Sequence, residues 1–292
     1  MNVFIFGAGY SGLALADLLA PRGIAIAGTT RSKARFAELK ARGVDPYQFD
    51  GDLDEAIGDR LRSVTHLVVS TAPGEEGDPV LGAASATICR DMPALEWIGY
   101  LSTVGVYGDH DGAWVDEDSA PRPVSRRTQR RLVAERQWLD LGEKAGIAVA
   151  VLRLAGIYGP GRNPFVKLEQ GTARRLIKPG QVFNRIHVDD IARAIEHLGE
   201  GRTGGVFNVT DDEPAPPQDV VAYAARLMGI EVPPDIPFDE AELTPMARSF
   251  YGEVKRVSNA RLKATGFQFL HPDYRRTLEA IWRAGSWRGR AS

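Results

Sequence analysis

The sequence has little cysteine and almost no excess of either charge. Cys89 is the only cysteine among 292 residues, which excludes an internal disulfide framework and a cysteine-rich zinc site. Lys and Arg together number 36 and Asp and Glu 38, for a formal charge of -2. This balance excludes a generally basic nucleic-acid binder and an acidic disordered chain. We therefore expect a folded protein of the reducing cytoplasm, with Cys89 as a small buried residue.

Long hydrophobic runs and metal-ligand spacings are also missing. The first twenty residues are apolar, but glycines and Asp17 interrupt them and no positive segment precedes them, unlike a signal peptide. The apolar stretch from Ile147 to Tyr158 is too short to span a bilayer and contains Arg153. The five histidines show no ligand spacing along the chain. We expect no membrane partner and no metal.

Short strand patterns alternate with helix patterns over the first half of the chain. The predicted strands are 1–6, 24–30, 45–49, 66–71, 97–103 and 147–154, and the predicted helices are 13–19, 33–42, 52–62, 79–90 and 125–144. Apolar strands separated by helices of this length indicate βαβ units and an α/β fold with a doubly wound parallel sheet. In such a sheet, ligands bind beyond the carboxyl ends of the strands.

The rhythm breaks after Tyr158, where prolines and glycines become frequent. One further helix and one further strand, 188–198 and 206–209, resume the first pattern, and helices are predicted at 219–228 and 272–284. We therefore predict a sheet domain of residues 1–160 and 181–212, interleaved with a smaller C-terminal substrate-binding lobe of residues 161–180 and 213–292.

A glycine-rich turn joins the first strand to the first helix. Its sequence, Gly7-Ala-Gly9-Tyr10-Ser11-Gly12, is a G-x-G-x-x-G in the context that makes this pattern informative. The glycines permit a tight turn and a close approach of the backbone to a pyrophosphate, while the start of the helix faces the negative charge. The turn predicts a dinucleotide-binding site.

The end of the second strand predicts which dinucleotide binds. An NAD site usually has an acidic residue there, about twenty residues past the glycines, whereas this chain has Thr30 and Arg31. The Arg31 guanidinium matches a 2′-phosphate, so we favour NADP(H) over NAD(H). Asp50 is a predicted adenine contact, with Asp52 as the alternative. The full set of predicted cofactor-binding residues is Gly7, Gly9, Tyr10, Ser11, Gly12, Thr30, Arg31, Asp50, Ser70, Thr71 and Ala72.

Four segments in sequence order resemble the extended short-chain dehydrogenase/reductases, the NAD-dependent epimerase/dehydratase family. They are 100–108, 152–161, 187–190 and 206–209, which read YLSTVGVYG, LRLAGIYGPG, HVDD and VFNV. The resemblance covers almost the whole chain and implies a Rossmann fold, an NAD(P) cofactor and oxidoreductase-type chemistry on a small-molecule substrate. It also leaves a monomer and a homodimer open.

The resemblance implies a catalytic set that this chain lacks in part. Thr103 matches the residue that holds the substrate oxygen in the family. The family's Tyr-x-x-x-Lys acid/base pair falls here on Arg127 and Arg131, aligned on Ala134-Glu135. An arginine stays protonated at physiological pH and cannot exchange a proton, so the usual proton relay is missing. Tyr107 is the first candidate for a replacement acid.

Other groups near the predicted site leave alternatives open. After Tyr107, the candidate acids are Asp109, His110 and Tyr158, with water as a further proton source. Six arginines on or just before the long helix and five acidic residues in the preceding loop either neutralise each other, or Arg127 and Arg131 bind an anionic substrate. Arg162, Arg174, Arg175 and Arg185 flank the predicted cleft.

Three functions remain in order of preference. The first is an NADP(H)-dependent oxidoreductase of an atypical extended short-chain type that reduces or oxidises a small, anionic or neutral, carbonyl or imine compound. The second is a non-catalytic NADP(H)-binding sensor, which the missing acid/base pair motivates. The third is a nucleotide-sugar epimerase or dehydratase. A nucleic-acid partner is not expected, because the basic stretch is local and faces an acidic loop in sequence.

Overall fold

The computed structural model describes residues 1–289 and divides the chain into two compact units. The first unit consists of Met1–Val106, Pro123–Leu154 and Ile191–Phe207, and the second of Tyr107–Arg122, Ala155–Asp190 and Asn208–Ser292. These divisions differ from the predicted bounds at several points. The segment 107–122 belongs to the second unit, and the predicted lobe 213–292 ends in three residues that lie outside the described part of the chain.

A seven-stranded sheet organises the first unit. The order of its strands is β11-β7-β5-β4-β1-β2-β3, and the adjacent strands from β7 to β3 all run parallel. The strands are β1 (Asn2–Phe6), β2 (Ala25–Thr30), β3 (Val44–Gln48), β4 (His66–Val69), β5 (Trp97–Thr103), β7 (Ala148–Leu154) and β11 (Gly205–Val209). The order reverses between β1 and β4, which is the switch point where ligands bind in doubly wound sheets. The predicted fold class is therefore confirmed.

Helices connect these parallel strands, as the crossover rule requires. They are α1 (Tyr10–Leu19), α2 (Phe36–Ala41), α3 (Glu55–Leu61), α4 (Pro79–Arg90), α5 (Arg126–Ala145) and α7 (Val188–Glu200). The strands β1, β4, β5 and β7 are buried along nearly their whole length, because helices cover both faces of such a sheet. This burial explains why the strands read as apolar runs without polar alternation.

The core of the first unit lies between the sheet and helices α3, α4 and α5. It includes aromatic side chains from strands and helices, such as Phe4, Tyr100 and Trp138, with the rings of Tyr100 and Trp138 stacked at 6.0 Å. Cys89 does not join this core: it lies on the exposed face of α4, so its predicted burial is wrong. In α4 the buried positions are instead Val80, Ala84 and Ile88, at helical spacing.

The second unit combines small parallel strand pairs with a helical core. The pairs are β8 (Gly156–Tyr158) with β10 (Arg185–His187), β9 (Arg175–Ile177) with β12 (Asp235–Pro237), and β6 (Trp114–Val115) with β13 (Arg256–Val257). Its helices include α6 (Pro164–Glu169), α8 (Pro217–Met228), α9 (Pro245–Phe250), α10 (Ala260–Ala264) and α11 (Tyr274–Arg283). Phe165, Val220, Leu278 and Trp287 pack together in its core. Among the described residues, no helix combines the length and apolarity needed to cross a bilayer.

Candidate functional site

The glycine turn after β1 has one glycine for each of three purposes. Gly7 has a φ of 85°, in the left-handed region, and its N–H donates to Thr29 Oγ1 at 2.9 Å. A Cβ on Gly12 would lie 3.1 Å from Ile5 Cγ2, so Gly12 permits close packing of α1 on β1. A Cβ on Gly9 would come within 4 Å of Gly7 O alone, at 3.9 Å. Packing therefore does not require a glycine at position 9, whereas the approach of a ligand to the backbone would.

The start of helix α1 offers its backbone N–H groups without a side-chain cap. Gly9 is the N-cap, no side chain caps the helix, and the first turn, with Tyr10 and buried Ser11, contains no acidic residue. Three other helices of the first unit are capped by side chains, namely those of Asp54, Asp78 and Ser125. Uncapped N–H groups and the helix dipole favour a bound anion. This end of α1 is suited to a pyrophosphate.

The segment after β4 lies beside the glycine turn at the switch point of the sheet. Ser70 N donates to Phe6 O at 2.8 Å, and a Cβ on Gly7 would lie 3.2 Å from Thr71 N. Thr71 Oγ1 is buried and has no hydrogen-bond partner among the described residues. Buried hydroxyls are nearly always bonded in native proteins. Thr71, with Ser70 and Ala72 on either side, thus fits a dinucleotide that passes across the end of β4.

The end of β2 places one buried hydroxyl and one exposed cation next to each other. Thr30 is buried and Arg31 is exposed. Arg35, which follows one turn later, forms a two-point ion pair with Glu38 at 2.8 and 3.1 Å, which also lowers the pKa of Glu38. Arg31 is therefore better placed than Arg35 to meet a phosphate. Asp50 is exposed and lies two residues beyond the end of β3.

The two arginines at the predicted acid/base positions have different surroundings. Arg127 is exposed, in the first turn of α5. Arg131 is half-buried, and its Nη1 donates to Leu101 O at 2.9 Å, Tyr100 Oη at 3.1 Å and Thr71 O at 3.3 Å. Its guanidinium also lies 5.5 Å from the centre of the Tyr100 ring. Arg131 thus joins the ends of β4 and β5 to α5, and the two arginines do not act as a matched pair.

Thr103 keeps a hydroxyl proton available at the end of β5. Its Oγ1 accepts a hydrogen bond from Gly105 N at 3.1 Å, and a hydroxyl that accepts can still donate its own proton. The preceding residue, Ser102, donates to the buried carboxylate of Glu135, which also pairs with Arg153 at 2.8 Å. Sequence reasoning missed this network. The signal for it was an arginine inside the apolar run 147–154.

Tyr107, in the second unit, is occupied by a structural contact. Its side chain is fully buried, and its hydroxyl donates to Asn208 Oδ1 at 2.8 Å. Asn208 is itself fixed, because its N–H donates to Glu117 and its amide group to Ser258 O at 3.0 Å. The predicted role of Tyr107 as proton donor stays a prediction, and these contacts argue for a packing role instead.

Two of the alternative acids, Asp109 and Tyr158, have shifted pKa values. Backbone N–H groups, first that of Val254 at 2.7 Å, lower the pKa of Asp109, so it is ionised at neutral pH. Burial raises the pKa of Tyr158, so it keeps its proton. In the acidic loop, Asp118 pairs with Arg261 at 2.7 Å. The contacts described for this loop are thus made within the second unit.

Arg185 lies beside a small cavity in the second unit. Its Nη1 donates to Phe183 O at 2.9 Å and Ala215 O at 3.1 Å. Burial raises the pKa of the neighbouring Asp211 well above its usual value, although the charge of Arg185 opposes this. The cavity has a volume of about 50 Å³, and its lining residues are Tyr158, Pro164, Arg185, Val220, Tyr274 and Leu278. The predicted substrate contact of Arg185 stays a prediction.

Comparison with known proteins identifies close structural and sequence relatives. The model of the NAD dependent epimerase/dehydratase family matches residues 3–210. A functionally unknown conserved protein from Silicibacter pomeroyi DSS is 47% identical, with a TM-score of 0.89 and coverage of 97% of this chain and 99% of that chain. Protein YeeZ of Escherichia coli (strain K12) is 29% identical over 288 residues, or 93% of this chain and 97% of YeeZ.

More distant matches differ in chemistry and cofactor. The 3-diazoavenalumate denitrifying reductase of a Streptomyces species is 29% identical over 180 residues, which cover 55% of this chain and 57% of the reductase. The human epimerase family protein SDR39U1 was solved with NADPH, and the UDP-glucose 4-epimerase of Thermus thermophilus with NAD. Their identities are 19% and 22%, with TM-scores of 0.69 and 0.73, so these two structures establish similarity of fold only.

Proposed function

Because the chain belongs to the NAD dependent epimerase/dehydratase family, we propose that it is an NADP(H)-dependent oxidoreductase acting on a small carbonyl or imine substrate. The observation that carries this proposal is the turn at Gly7–Gly12, which opens onto the uncapped start of α1. Beside it lies the buried, unpartnered hydroxyl of Thr71. The family includes cofactor-binding enzymes that catalyse different reactions. Membership in the family therefore does not identify the reaction, and the proposal depends on this site.

The residues of the first unit divide the binding of the cofactor among them. The N–H groups at the start of α1 hold the pyrophosphate, and Gly9 leaves room for it. Thr71 and its neighbours contact the central part of the dinucleotide, and Asp50 contacts the adenine. The exposed guanidinium of Arg31, with the Thr30 hydroxyl beside it, binds the 2′-phosphate and so favours NADP(H). When bound, the nicotinamide supplies or accepts the hydride.

Thr103 orients and polarises the substrate. Its Oγ1 accepts from Gly105 N, which leaves its own proton available to donate to the oxygen or nitrogen of the substrate. In the reducing direction the substrate carbon gains a hydride and its oxygen or nitrogen gains a proton. Arg127 and Arg131 cannot release a proton, and the Tyr107 hydroxyl donates its own proton to Asn208, so we assign the proton to water. The arginine side chains contribute fixed positive charge instead.

Arg131 holds the site together rather than exchanging protons. Through three oxygens it joins the segment after β4, which contacts the cofactor, to the end of β5, which leads to Thr103. Its fixed charge also favours electron density that develops on a nearby substrate oxygen. In the family's Tyr-x-x-x-Lys pair the lysine supplies such a charge, and here Arg127 occupies the position predicted for the tyrosine.

A second function is favoured by the same arginine. A chain that binds NADP(H) but has Arg127 and Arg131 at the positions of the acid/base pair could report on the cofactor without turning it over. The 29% identity with a denitrifying reductase supports the enzymatic proposal, and the two arginines support the sensor. Both share the cofactor site.

Turnover with defined substrates separates these functions. Purified protein with NADPH is offered aldehydes, ketones, imines and their carboxylated analogues, and the loss of the reduced nicotinamide absorbance is followed. We expect turnover with at least one compound, a loss of about 100-fold in Thr103→Val, and near wild-type rates in the matched Thr103→Ser. Cofactor binding without turnover of any compound would favour the sensor. Equal rates in Thr103→Val and wild type would remove Thr103 from the mechanism.

A further inference from the structure

Two histidines that are far apart in the sequence meet in the second unit, beside a carboxylate that lies two residues after the first of them. His187 ends β10, Asp189 lies in the first turn of α7, and His271 precedes α11. One candidate ligand atom from each residue lies within 4.8 Å of the others. The sequence led us to expect no metal site, but that expectation rested on spacing along the chain. Spacing along the chain does not reveal residues that only the fold brings together.

The distances within this cluster suit a shared cation better than direct hydrogen bonds. Asp189 Oδ2 lies 3.6 Å from His187 Nδ1 and 3.7 Å from His271 Nε2, beyond hydrogen-bond distance. Two ligand atoms bound to one zinc ion at about 2.0–2.2 Å in tetrahedral geometry lie roughly 3.4 Å apart. The two measured distances from Asp189 Oδ2 are only slightly longer than this.

The polar atoms of the cluster provide a second, independent observation. Nε2 of His187 and Nε2 of His271 are both buried and have no hydrogen-bond partner among the described residues. His187 is 1% exposed, and the backbone N–H of Asp189 donates to its Nδ1 at 3.2 Å, so Nδ1 carries no proton and Nε2 of that ring does. The nitrogens that face Asp189 Oδ2 are thus His187 Nδ1, where an ion would replace the Asp189 N–H, and the unpartnered His271 Nε2. Buried polar atoms without partners are rare and often mark a role in binding.

The surrounding fold prearranges the three side chains. Asp190, which is fully buried, accepts from Leu270 N and His271 N, each at 2.8 Å. These bonds fix the segment that carries His271 against the start of α7. The Asp189 side chain is 51% exposed, which gives an ion a path from solvent and leaves a position for water. Burial lowers the pKa of His187 to about 4, with a further contribution from His271.

We propose that His187, Asp189 and His271 form a binding site for a divalent transition metal of the zinc type. Imidazole nitrogens with one carboxylate suit Zn²⁺, Co²⁺ or Ni²⁺, whereas Mg²⁺ and Ca²⁺ prefer oxygen ligands. A bound ion joins the start of α7 to the segment before α11, the same two segments that Asp190 connects. The site shares no residue with the proposed cofactor site, so it does not depend on the proposed function.

A titration with Zn²⁺ alone tests this site. The full chain carries Cys89→Ser, because the exposed thiol of Cys89 could itself bind zinc. Isothermal titration calorimetry in the absence of nicotinamide should give one ion per chain. Affinity should fall by at least about tenfold in Asp189→Asn and in His271→Gln. Co²⁺ should give visible absorption bands that the same substitutions abolish, and Mg²⁺ should not compete.

The controls separate a specific site from general zinc binding. His197→Gln changes a histidine outside the cluster and should leave the affinity unchanged. If His271→Gln does not fold, as judged by circular dichroism, Asp189→Asn still decides, since its side chain is half exposed and the change keeps its size. No saturable binding of Zn²⁺, Co²⁺ or Ni²⁺ to the folded chain, or equal affinity in wild type, Asp189→Asn and His271→Gln, overturns the proposal.

Discussion

The glycine turn after β1 and the start of helix α5 belong to the same compact unit but differ in how their polar groups are used. At the turn, no side chain among the described residues caps the N–H groups of α1, and a Cβ on Gly9 would meet only Gly7 O, at 3.9 Å. At the start of α5, Ser125 and Thr128 form a reciprocal cap, and Arg131 donates to three oxygens. The polar groups of the turn remain available to a ligand, whereas many polar groups at the start of α5 already form hydrogen bonds within the protein.

This difference shows that binding and chemistry depart from the family pattern to different degrees. The cofactor half of the site has the features that a dinucleotide requires. At the positions predicted for the acid/base pair the chain has two arginines, of which Arg131 ties together the ends of β4 and β5. A chain can therefore retain cofactor binding while its acid/base chemistry changes or is lost. The predictions below challenge this contrast, beginning with the largest expected effect.

Substitution of Gly9 is the most severe test of whether the glycine turn binds a dinucleotide. Gly9→Ala introduces a Cβ that meets only Gly7 O, at 3.9 Å, and Gly9 has a φ of -89°, which alanine adopts readily. We expect NADPH affinity to fall by about 100-fold, or about 2.7 kcal/mol, with little change in melting temperature. Calorimetric titration and a thermal melt measure the two quantities.

Gly12→Ala is the matched control for that substitution. Its Cβ would lie 3.1 Å from Ile5 Cγ2 and 3.4 Å from Gly7 O, so it should lower the melting temperature by crowding α1 against β1. If Gly9→Ala leaves NADPH binding intact, or lowers stability as much as Gly12→Ala does, the turn is a packing feature and the contrast between the two regions fails.

Arg131 should matter for stability more than Arg127. Arg131→Met removes charge-assisted hydrogen bonds to Leu101 O and Thr71 O, and we expect a loss of about 2 kcal/mol in the free energy of unfolding. Arg127→Met, at an exposed position, should change it by less than about 0.5 kcal/mol. Urea unfolding measures both, and equal effects would contradict the structural role of Arg131.

The pH dependence of the stability lost in Arg131→Met identifies the electrostatic part of that loss. Burial raises the pKa of Asp78, and the charge of Arg131 opposes that rise. The cost of ionising Asp78 in the folded state is absent below its unfolded pKa and appears as the pH rises through its folded pKa. Without Arg131 that folded pKa is higher still. The deficit of Arg131→Met should therefore be largest at neutral pH and shrink toward about pH 4, and a deficit independent of pH would exclude this coupling.

Substitution of Arg31 tests which dinucleotide binds at the glycine turn. Arg31→Ala should weaken NADPH by about tenfold, or about 1.4 kcal/mol, and leave NADH nearly unchanged, because only NADPH has the 2′-phosphate. Arg35→Ala is the control, since Arg35 already pairs with Glu38. Equal losses for NADPH and NADH, or a larger loss in Arg35→Ala, would contradict the assignment of NADP(H).

Tyr107→Phe should have the smallest effect. It removes one hydrogen bond to Asn208, so we expect a loss of about 1 kcal/mol in stability and turnover within a few-fold of wild type. A fall of about 100-fold or more in turnover with unchanged folding would restore Tyr107 as the proton donor. Turnover and urea unfolding are measured on the same preparation.

The sheet was predictable from sequence because its signal is local. The strand 97–103 and the helix 79–90 have the bounds that their residues indicate. The strand is buried on both faces and is a continuous apolar run, whereas the helix buries one face and has apolar residues at helical spacing. The short strand pairs of the second unit were not predicted. A strand of two or three residues, such as Arg256–Val257, carries no period, and its partner lies far away in the chain.

The candidate site was predictable only where backbone geometry decides it. The glycine turn requires particular residues at fixed spacing, so its position and purpose could be deduced from the sequence. The partners of Arg131, the buried pair of Glu135 with Arg153, and the meeting of His187 with His271 depend on contacts between distant segments. Spacing rules do not report such contacts, and the predicted burial of Cys89 was wrong for the same reason, because burial depends on how its helix packs.

Binding of NADPH to the wild-type chain tests the central claim most directly. Calorimetric titrations with NADPH, NADP⁺, NADH and NAD⁺ are run at one salt concentration and one pH. We predict saturable binding of one dinucleotide per chain, with the NADP forms tighter than the NAD forms. The absence of saturable binding by all four would contradict the assignment of the glycine turn, and tighter binding of NADH than of NADPH would contradict the role of Arg31.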